Sequence, residues 1–479
     1  TMKKRTLLLS CFALLLASAR AQAPADCQDV LLQGFFWNSQ QQTGWAQLLP
    51  AVDEIGQNFT GIWLPPSANP EGGYTVGGTN VGYHPRVWND QNSCWGTADN
   101  LKTLITAFHN KGVKVIADIV INHRAGYTDW ANFSPDNFGA YGSYQLTLAD
   151  ICRNDEVNTE AGAATFRATY GMATGANDTG ENWGGARDLD HTSANVQNDV
   201  KAYLNWMKGE MGYDGWRYDF VKGFEGKYVG IYNDASQPWL SVGEYWDGSY
   251  DAVKAWLAAT GYKSMAFDFP QKYAALNNGL AKNNYANMAW KENGTTPRPA
   301  GLIHNSSTNR YAVTFVDNHD TYRDDNKYTG NVAQAYAFLL SAPGVPCVFW
   351  PHWVGNKTVI KNQIAARRVA GVTSQSNCEV VRSSTYYESR TEGKNGTLIC
   401  RIGTVATMPK TVPDGYFRAC GGNNWAFYLP TALQSVYTGV QTPTVTPRSE
   451  TSVYDLQGRR VSTTHSGLYL INGQKVLVK

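Results

Sequence analysis

The chain has 479 residues, 43% of them hydrophobic and 17% charged, with a formal net charge of +2. That length exceeds what one small core can organise, and it implies a large domain with one or two smaller ones. So small a net charge excludes the electrostatic grounds for binding nucleic acid or an anionic membrane. Aromatic residues reach 13%, with 16 Trp and 27 Tyr. They fit either a large aromatic core or a cleft in which rings stack on the apolar faces of sugars, and composition leaves both open.

Residues 1–23 read as a secretory signal. Lys3-Lys4-Arg5 is a charged start, and Leu7 to Ala17 is apolar but too short to span a bilayer. Ala19-Arg20-Ala21 and Ala21-Gln22-Ala23 both fit small-x-small cleavage sites. Loss of Lys3, Lys4, Arg5 and Arg20 takes the formal charge from +2 to −2. The expectation is a protein exported from the cell, secreted or held at its surface, and no later segment reads as a membrane span. Cys27, Cys94, Cys152, Cys347, Cys378, Cys400 and Cys420 follow the signal. Export permits disulfides, but an odd number leaves at least one thiol over, and no CxxC points to zinc or redox chemistry.

Eight short apolar, β-branched or aromatic runs then alternate with helical patterns. They are Leu31–Phe36, Gly61–Pro65, Lys114–Asn122, Gly215–Phe220, Trp239–Tyr245, Ser264–Phe269, Ala312–Asn318 and Pro346–Trp350. Near-continuous apolar character is that of strands buried on both faces. Thr97–Lys111 predicts a helix, with Leu101, Leu104, Ile105 and Phe108 on one face, Thr97 as cap and Gly112 as stop. Asn195–Lys208 and Asn331–Ser341 predict two more. The alternation favours a (β/α)8 TIM barrel over residues 24–374, although periodicity alone does not settle closure. About residues 124–190 form a Gly-, Asn-, Asp- and Ser-rich insertion, too long for a structureless loop and so read as a subdomain. Residues 375–437 predict an antiparallel β domain, 438–451 a Thr- and Pro-rich linker, and 452–479 a β tail with turns at Gln457-Gly458 and Asn472-Gly473.

Barrel chemistry is carried at the C-terminal ends of strands. There stand Asp118 to Asn122-His123, Arg217-Tyr-Asp219 to Lys222-Gly223, Gly243-Glu244, and Asp317-Asn-His319-Asp320. Arg217 and Asp219 are two apart and point the same way from a strand. A guanidinium beside it would hold Asp219 ionised, whereas a drier Glu244 beside other carboxylates would keep its proton. Any one segment alone could be a structural ion pair, and Asp118, set back inside its strand, is read as structural.

These four segments resemble the motif regions of the α-amylase family of glycoside hydrolases, its plant-type and bacterial maltooligosaccharide-forming members above all. Leu32-Gln-Gly-Phe-Phe-Trp37, Ile62-Trp-Leu-Pro-Pro66, Gly112-Val-Lys-Val-Ile-Ala117 and Pro343-Gly-Val-Pro346 extend the likeness over roughly residues 28–430. The resemblance implies Asp219 as nucleophile, Glu244 as general acid/base and Asp320 as the carboxylate that orients the sugar. It implies Arg217 as partner of Asp219, and His123, His319, Lys222 and Tyr74 as sugar contacts, Tyr74 by stacking. It also implies a calcium ion (Ca2+) held by Asn122, Asp178 and Asp188 with carbonyl oxygens of Glu181 and Gly223, a hard-oxygen set that suits calcium. Asn182 stands where a plant-type second calcium would need an acid, which speaks against further ions.

The implied function is endo-hydrolysis of α-1,4-glucosidic bonds in starch, amylose and maltooligosaccharides, with retained configuration, by a monomer. An exo-acting maltooligosaccharide-forming amylase, a transglycosylase and a non-catalytic starch-binding barrel are the alternatives. The tail around Tyr454–Val461 and Gly467–Gly473 resembles the C-terminal sorting segment of proteins exported by Bacteroidetes, which would make export machinery a partner.

Overall fold

The computed structural model describes residues 23–291, 295–441, 453–454, 467–471 and 474–478. Eight parallel strands close a barrel: β1 (Leu31–Gln33), β2 (Gly61–Trp63), β3 (Lys114–Ile119), β4 (Gly215–Tyr218), β5 (Ser241–Gly243), β6 (Met265–Phe267), β7 (Ala312–Phe315) and β8 (Val345–Phe349). Seven lie within the apolar runs, and β8 begins one residue before the run Pro346–Trp350. Closure is made by β1, which pairs with β2 through Leu31 opposite Gly61 and with β8 through Leu31 opposite Cys347. β8 is buried at all five residues, as expected of a strand covered on one face by helices and on the other by the barrel interior. Gly215 is required for packing, since a Cβ there would lie 2.5 Å from the Leu240 carbonyl oxygen beside the neighbouring strand.

The three predicted helices form as Ala98–His109, Ala194–Trp206 and Val332–Ser341. Thr97 caps the first by accepting from Asn100 N, and Asn331 caps the third by accepting from Gln334 N, each satisfying a backbone donor left over at a helix start. The first buries Leu101, Leu104, Ile105 and Phe108.

The insertion leaves and rejoins the barrel through an antiparallel pair, His123–Arg124 against Arg187–Asp188. Its anchor is Arg124, fully buried with Asp136. The guanidinium donates to both Asp136 oxygens and to the carbonyls of Arg86 and Ser134, and it lies over the Trp88 ring at 4.6 Å.

Beyond the barrel, β9 (Cys378–Ser383), β10 (Tyr387–Glu392), β11 (Thr397–Ile402), β12 (Tyr416–Gly421) and β13 (Trp425–Pro430) form an antiparallel sheet in the order 9-10-11-13-12. Gln334 of a barrel helix joins it by donating to the carbonyls of Gly403 (2.7 Å) and Asn424 (2.9 Å). Barrel and sheet form one compact unit ending at Gln434. The second unit begins at Ser435 and contains a three-stranded antiparallel sheet of Val453–Tyr454, Gly467–Ile471 and Gln474–Val478. The turn expected at Asn472-Gly473, between its last two strands, lies outside the described residues. A helix over Gln434–Gln441 takes the first residues assigned to the linker, which precede its first proline. The rest of the linker, the Gln457-Gly458 turn and the signal up to residue 22 lie outside the described residues. Cys27, Cys94, Cys152, Cys347, Cys378 and Cys400 are free thiols.

Arg124→Met leaves the buried Asp136 carboxylate without its counter-charge. It is expected to destabilise the chain by about 3–5 kcal/mol, read as a lowered midpoint in thermal or urea unfolding.

Candidate active site

Arg217 on β4 is fully buried and gathers three carboxyl groups. Its Nη1 donates to Asp118 of β3 at 2.7 Å and to Asp219 at 2.7 Å. Its Nη2 lies 2.8 Å from Glu244 Oε1, off the line of a hydrogen bond. Glu244 is fixed from its other oxygen by the Phe220 N–H at 3.2 Å. Phe220 has φ +41°, a conformation that costs a bulky residue about 1–3 kcal/mol, and in it the backbone presents that N–H to Glu244. Asp118 also accepts from Trp63 Nε1 (3.1 Å) and from the Tyr83 hydroxyl (2.8 Å), so it holds the floor of the site together.

Asp219, Glu244, Asp320, His123, Lys222 and Glu181 line one cavity of about 470 Å³ at the C-terminal mouth of the barrel. Trp37, Tyr83, His84, Trp183, Phe220, Trp246 and Arg323 complete it. His319 stands behind Tyr83, its ring stacked at 5.2 Å and 5°. Gln33 Nε2 meets His319 Nδ1 at 3.0 Å, and His319 Nε2 lies 2.6 Å from the Tyr83 hydroxyl and 3.1 Å from Asp320. An amide donor at Nδ1 places the ring proton on Nε2, facing the Tyr83 hydroxyl and Asp320. His123 stacks on Trp183 at 5.2 Å, and its Nε2 is held by the Tyr83 carbonyl at 2.9 Å. Lys222 sits 3.3 Å from both Glu181 and Asp247. Arg323 pairs with Asp320 at 2.9 Å and lies 3.5 Å over the Trp37 ring.

Two expected sugar contacts do not line this cavity: His319, which stands behind Tyr83, and Tyr74. Gly72 and Gly73, with φ of +73° and +76°, turn the chain there, and Tyr74 is 40% exposed and absent from the lining. Tyr83 supplies the ring instead. It follows Gly82 and precedes His84-Pro85, a local signal that sequence reasoning passed over, as it passed over the placement of Trp37, Trp183, Trp246 and Arg323.

Burial dominates the titration of the carboxyls. It pushes Glu244 up to about 8 against the opposing pull of Arg217, with Asp219 and Asp320 adding repulsion. It pushes Asp219 up to about 7. The expectation that the guanidinium beside it holds Asp219 ionised meets an opposing effect, because desolvation outweighs Arg217, which is shared with Asp118. Asp320 is shifted down despite its burial, by His319, Arg217 and Arg323. Burial also keeps both His123 and His319 neutral, at about 3 and about 4.

The residues expected to hold calcium meet on one side of this cavity. Asn122 Nδ2 donates to Asp188 Oδ1 at 3.0 Å, and a Cβ on Gly223 would fall 1.9 Å from Asn122 Oδ1, so that amide is packed on the Gly223 backbone. Glu181 N donates to the Lys222 carbonyl at 2.8 Å. Asp178 accepts from Asn154 at 2.7 Å. Asp188 is fully buried, and burial with repulsion from Asp178, Asp155 and Glu156 raises it to about 8. A further trio, Asp155, Glu156 and Asp188, has ligand atoms within 4.8 Å of one another. Arg187 already counters it, at 2.5 Å from Asp155 and 3.8 Å from Glu156.

Residues 41–390 match the catalytic domain of alpha amylase, and the chain belongs to this family of glycoside hydrolases. It is 34% identical over 346 residues to the chloroplastic alpha-amylase 3 of Arabidopsis thaliana, covering 68% of this chain and 35% of that protein. It is 31% identical over 383 residues to the probable alpha-amylase 2 of the same plant, covering 75% and 84%. It is 27% identical over 445 residues to a glucan 1,4-alpha-maltotetraohydrolase of Roseateles saccharophilus, covering 84% and 73%. Among solved structures, an Anoxybacillus alpha-amylase shares the fold at a TM-score of 0.56 and 16% identity, covering 84% of this chain and 96% of its own.

Proposed function

We propose that this chain is an endo-acting α-amylase that hydrolyses internal α-1,4-glucosidic bonds of starch by double displacement. The observation that carries the reading is the trio of Asp219, Glu244 and Asp320 facing one aromatic-lined cavity, with Arg217 shared by Asp219 and Glu244 and Arg323 paired with Asp320. Asp219 attacks the anomeric carbon, and Glu244, the carboxyl with the higher proton affinity, protonates the departing glycosidic oxygen. Glu244 then takes a proton from the water that frees the product. Asp320, held ionised, accepts hydroxyls of the sugar at the cleavage point. Tyr83 and Trp37 offer apolar faces to glucose rings. On soluble starch the early products should span many chain lengths, with the α anomer released first in NMR of a maltooligosaccharide digest. A single short product from the start would favour the exo-acting reading, and initial β anomer would refute double displacement.

The same roles set the pH dependence. Activity needs Asp219 ionised and Glu244 protonated, so it rises as the pair loses its first proton and falls as it loses the second. The profile of kcat/KM should be a narrow bell with limbs near 7 and 8. Glu244→Gln should lower kcat by about 10²–10⁴-fold, the usual worth of general acid–base catalysis, and remove the alkaline limb from what activity remains. A variant that turns over normally, or keeps that limb, would move the acid elsewhere.

For the metal, the donor set fits calcium: two carboxylates, an amide oxygen and nearby carbonyls, all hard oxygens. The crowding of Asp188 is the supporting observation, because a buried carboxylate pressed by others is relieved by a cation. Arg187 neutralises the Asp155–Glu156 side, which leaves Asn122, Asp178, Asp188, Glu181 and Gly223 as the residues to hold the ion. Bound there, calcium would neutralise the cluster and brace the inserted subdomain. Chelation should lower the melting temperature and added calcium restore it, and coincident melting curves would reject the site.

A further inference from the structure

Lys272 opens a π-helical turn, Lys272–Asn277, just after β6, and its side chain is 0% exposed. Its ammonium donates to the Val316 carbonyl and to Asp317 Oδ1, both at 2.8 Å, where β7 ends. The same carboxylate accepts from Thr321 Oγ1 at 3.1 Å and from Tyr328 N at 3.0 Å. The segment that carries His319 and Asp320 is thus tied on both sides, at Thr321 and Tyr328, to one carboxylate, which Lys272 ties in turn to the turn that follows β6. Inside the excursion Asn318 Oδ1 accepts from Asp320 N (3.0 Å) and Thr321 N (2.8 Å). The base of Lys272 is itself fixed. Asp268 accepts from the N–H groups of Gln271 and Leu302, both at 2.9 Å.

A buried ammonium and carboxylate are costly to desolvate, and apolar residues of like volume commonly fill such space at no loss of stability. What the charged pair supplies is direction: fixed N–H donors at set angles. We propose that Lys272, acting through Asp317, is a positioning residue for Asp320, holding its carboxylate at the height the sugar requires. The inference rests on the reading of Asp320 as a working carboxylate. Displacement of a catalytic group by about 1 Å can cost on the order of 10²-fold in rate.

The test is a mutant cycle on a chloronitrophenyl maltotrioside. Lys272→Met with Asp317→Asn removes both charges, while the amide oxygen still accepts from Thr321 and Tyr328. This double variant should melt near the wild type, lose roughly 10- to 100-fold in kcat and keep KM within about twofold. In an Asp320→Asn background the same pair of changes should cost less than about twofold more, since effects that run through one residue do not add. Equal losses in both backgrounds, or an unchanged kcat in the folded double variant, would overturn the proposal. If the double variant fails to fold, Lys272→Arg goes through the same cycle. It keeps charge and donors but shifts their reach, and a kcat loss confined to the Asp320 background supports the proposal, whereas an equal loss in both overturns it. An inactive wild type would sink the functional reading itself. An active wild type indifferent to Lys272 would sink this inference alone.

Discussion

The charge on Arg217 is the constraint around which the rest of the site is arranged. One fully buried guanidinium faces Asp118, Asp219 and Glu244. A single positive charge cannot hold three buried carboxyls ionised, so at least one proton stays in the cluster near neutral pH. The proton rests where stabilisation of the anion is poorest. Asp118 has three aligned donors, from Arg217, Trp63 and Tyr83. Glu244 has one, from the Phe220 backbone, and only an off-axis contact with Arg217. Geometry around one side chain therefore divides chemically similar carboxyls into different states.

The neutral groups around the cluster extend this ordering outward. Gln33, His319 and Tyr83 form a chain of hydrogen bonds that ends on Asp118. Each link has its proton placed by the one before it, and a fixed chain of this kind needs little reorganisation when charge moves nearby. The aromatic rings serve twice, since Trp37 lies parallel to Tyr83 and His319 while also facing Arg323. Packing and electrostatics in this wall are thus one set of contacts.

The barrel was legible in the sequence because its strands are buried on both faces and leave unbroken apolar runs, from Leu31–Phe36 to Pro346–Trp350. Arg217 and Asp219 were legible because period-two geometry points both the same way from one strand, whereas the roles of Glu244 and Asp320 came from the likeness of the motifs that carry them. What escaped came from loops. Trp183 and Arg323 reach the cavity through long-range packing that no local pattern encodes, and Tyr74, expected to stack on the sugar, is turned away where Gly72 and Gly73 bend the backbone. The state of Asp219 escaped for a different reason. Two residues of sequence revealed its partner, but not that the partner is shared or how completely both are desolvated.

The pairing of His123–Arg124 with Arg187–Asp188 has a consequence for how such a chain can vary. Both ends of the inserted excursion are clamped side by side on the barrel, so its closure does not depend on what lies between. Doubling the length of a flexible loop with fixed ends costs only about 0.6 kcal/mol in closure entropy. The excursion is thus a graft point: descendants of this chain can lengthen, shorten or replace the segment between Ala125 and Ala186 while β3 and β4 keep their register. The limits on such exchange are chemical, because Arg124 needs a buried acid in place of Asp136, the cavity needs a wall in place of Trp183, and the proposed ion site needs oxygens in place of those of Asp178 and Glu181.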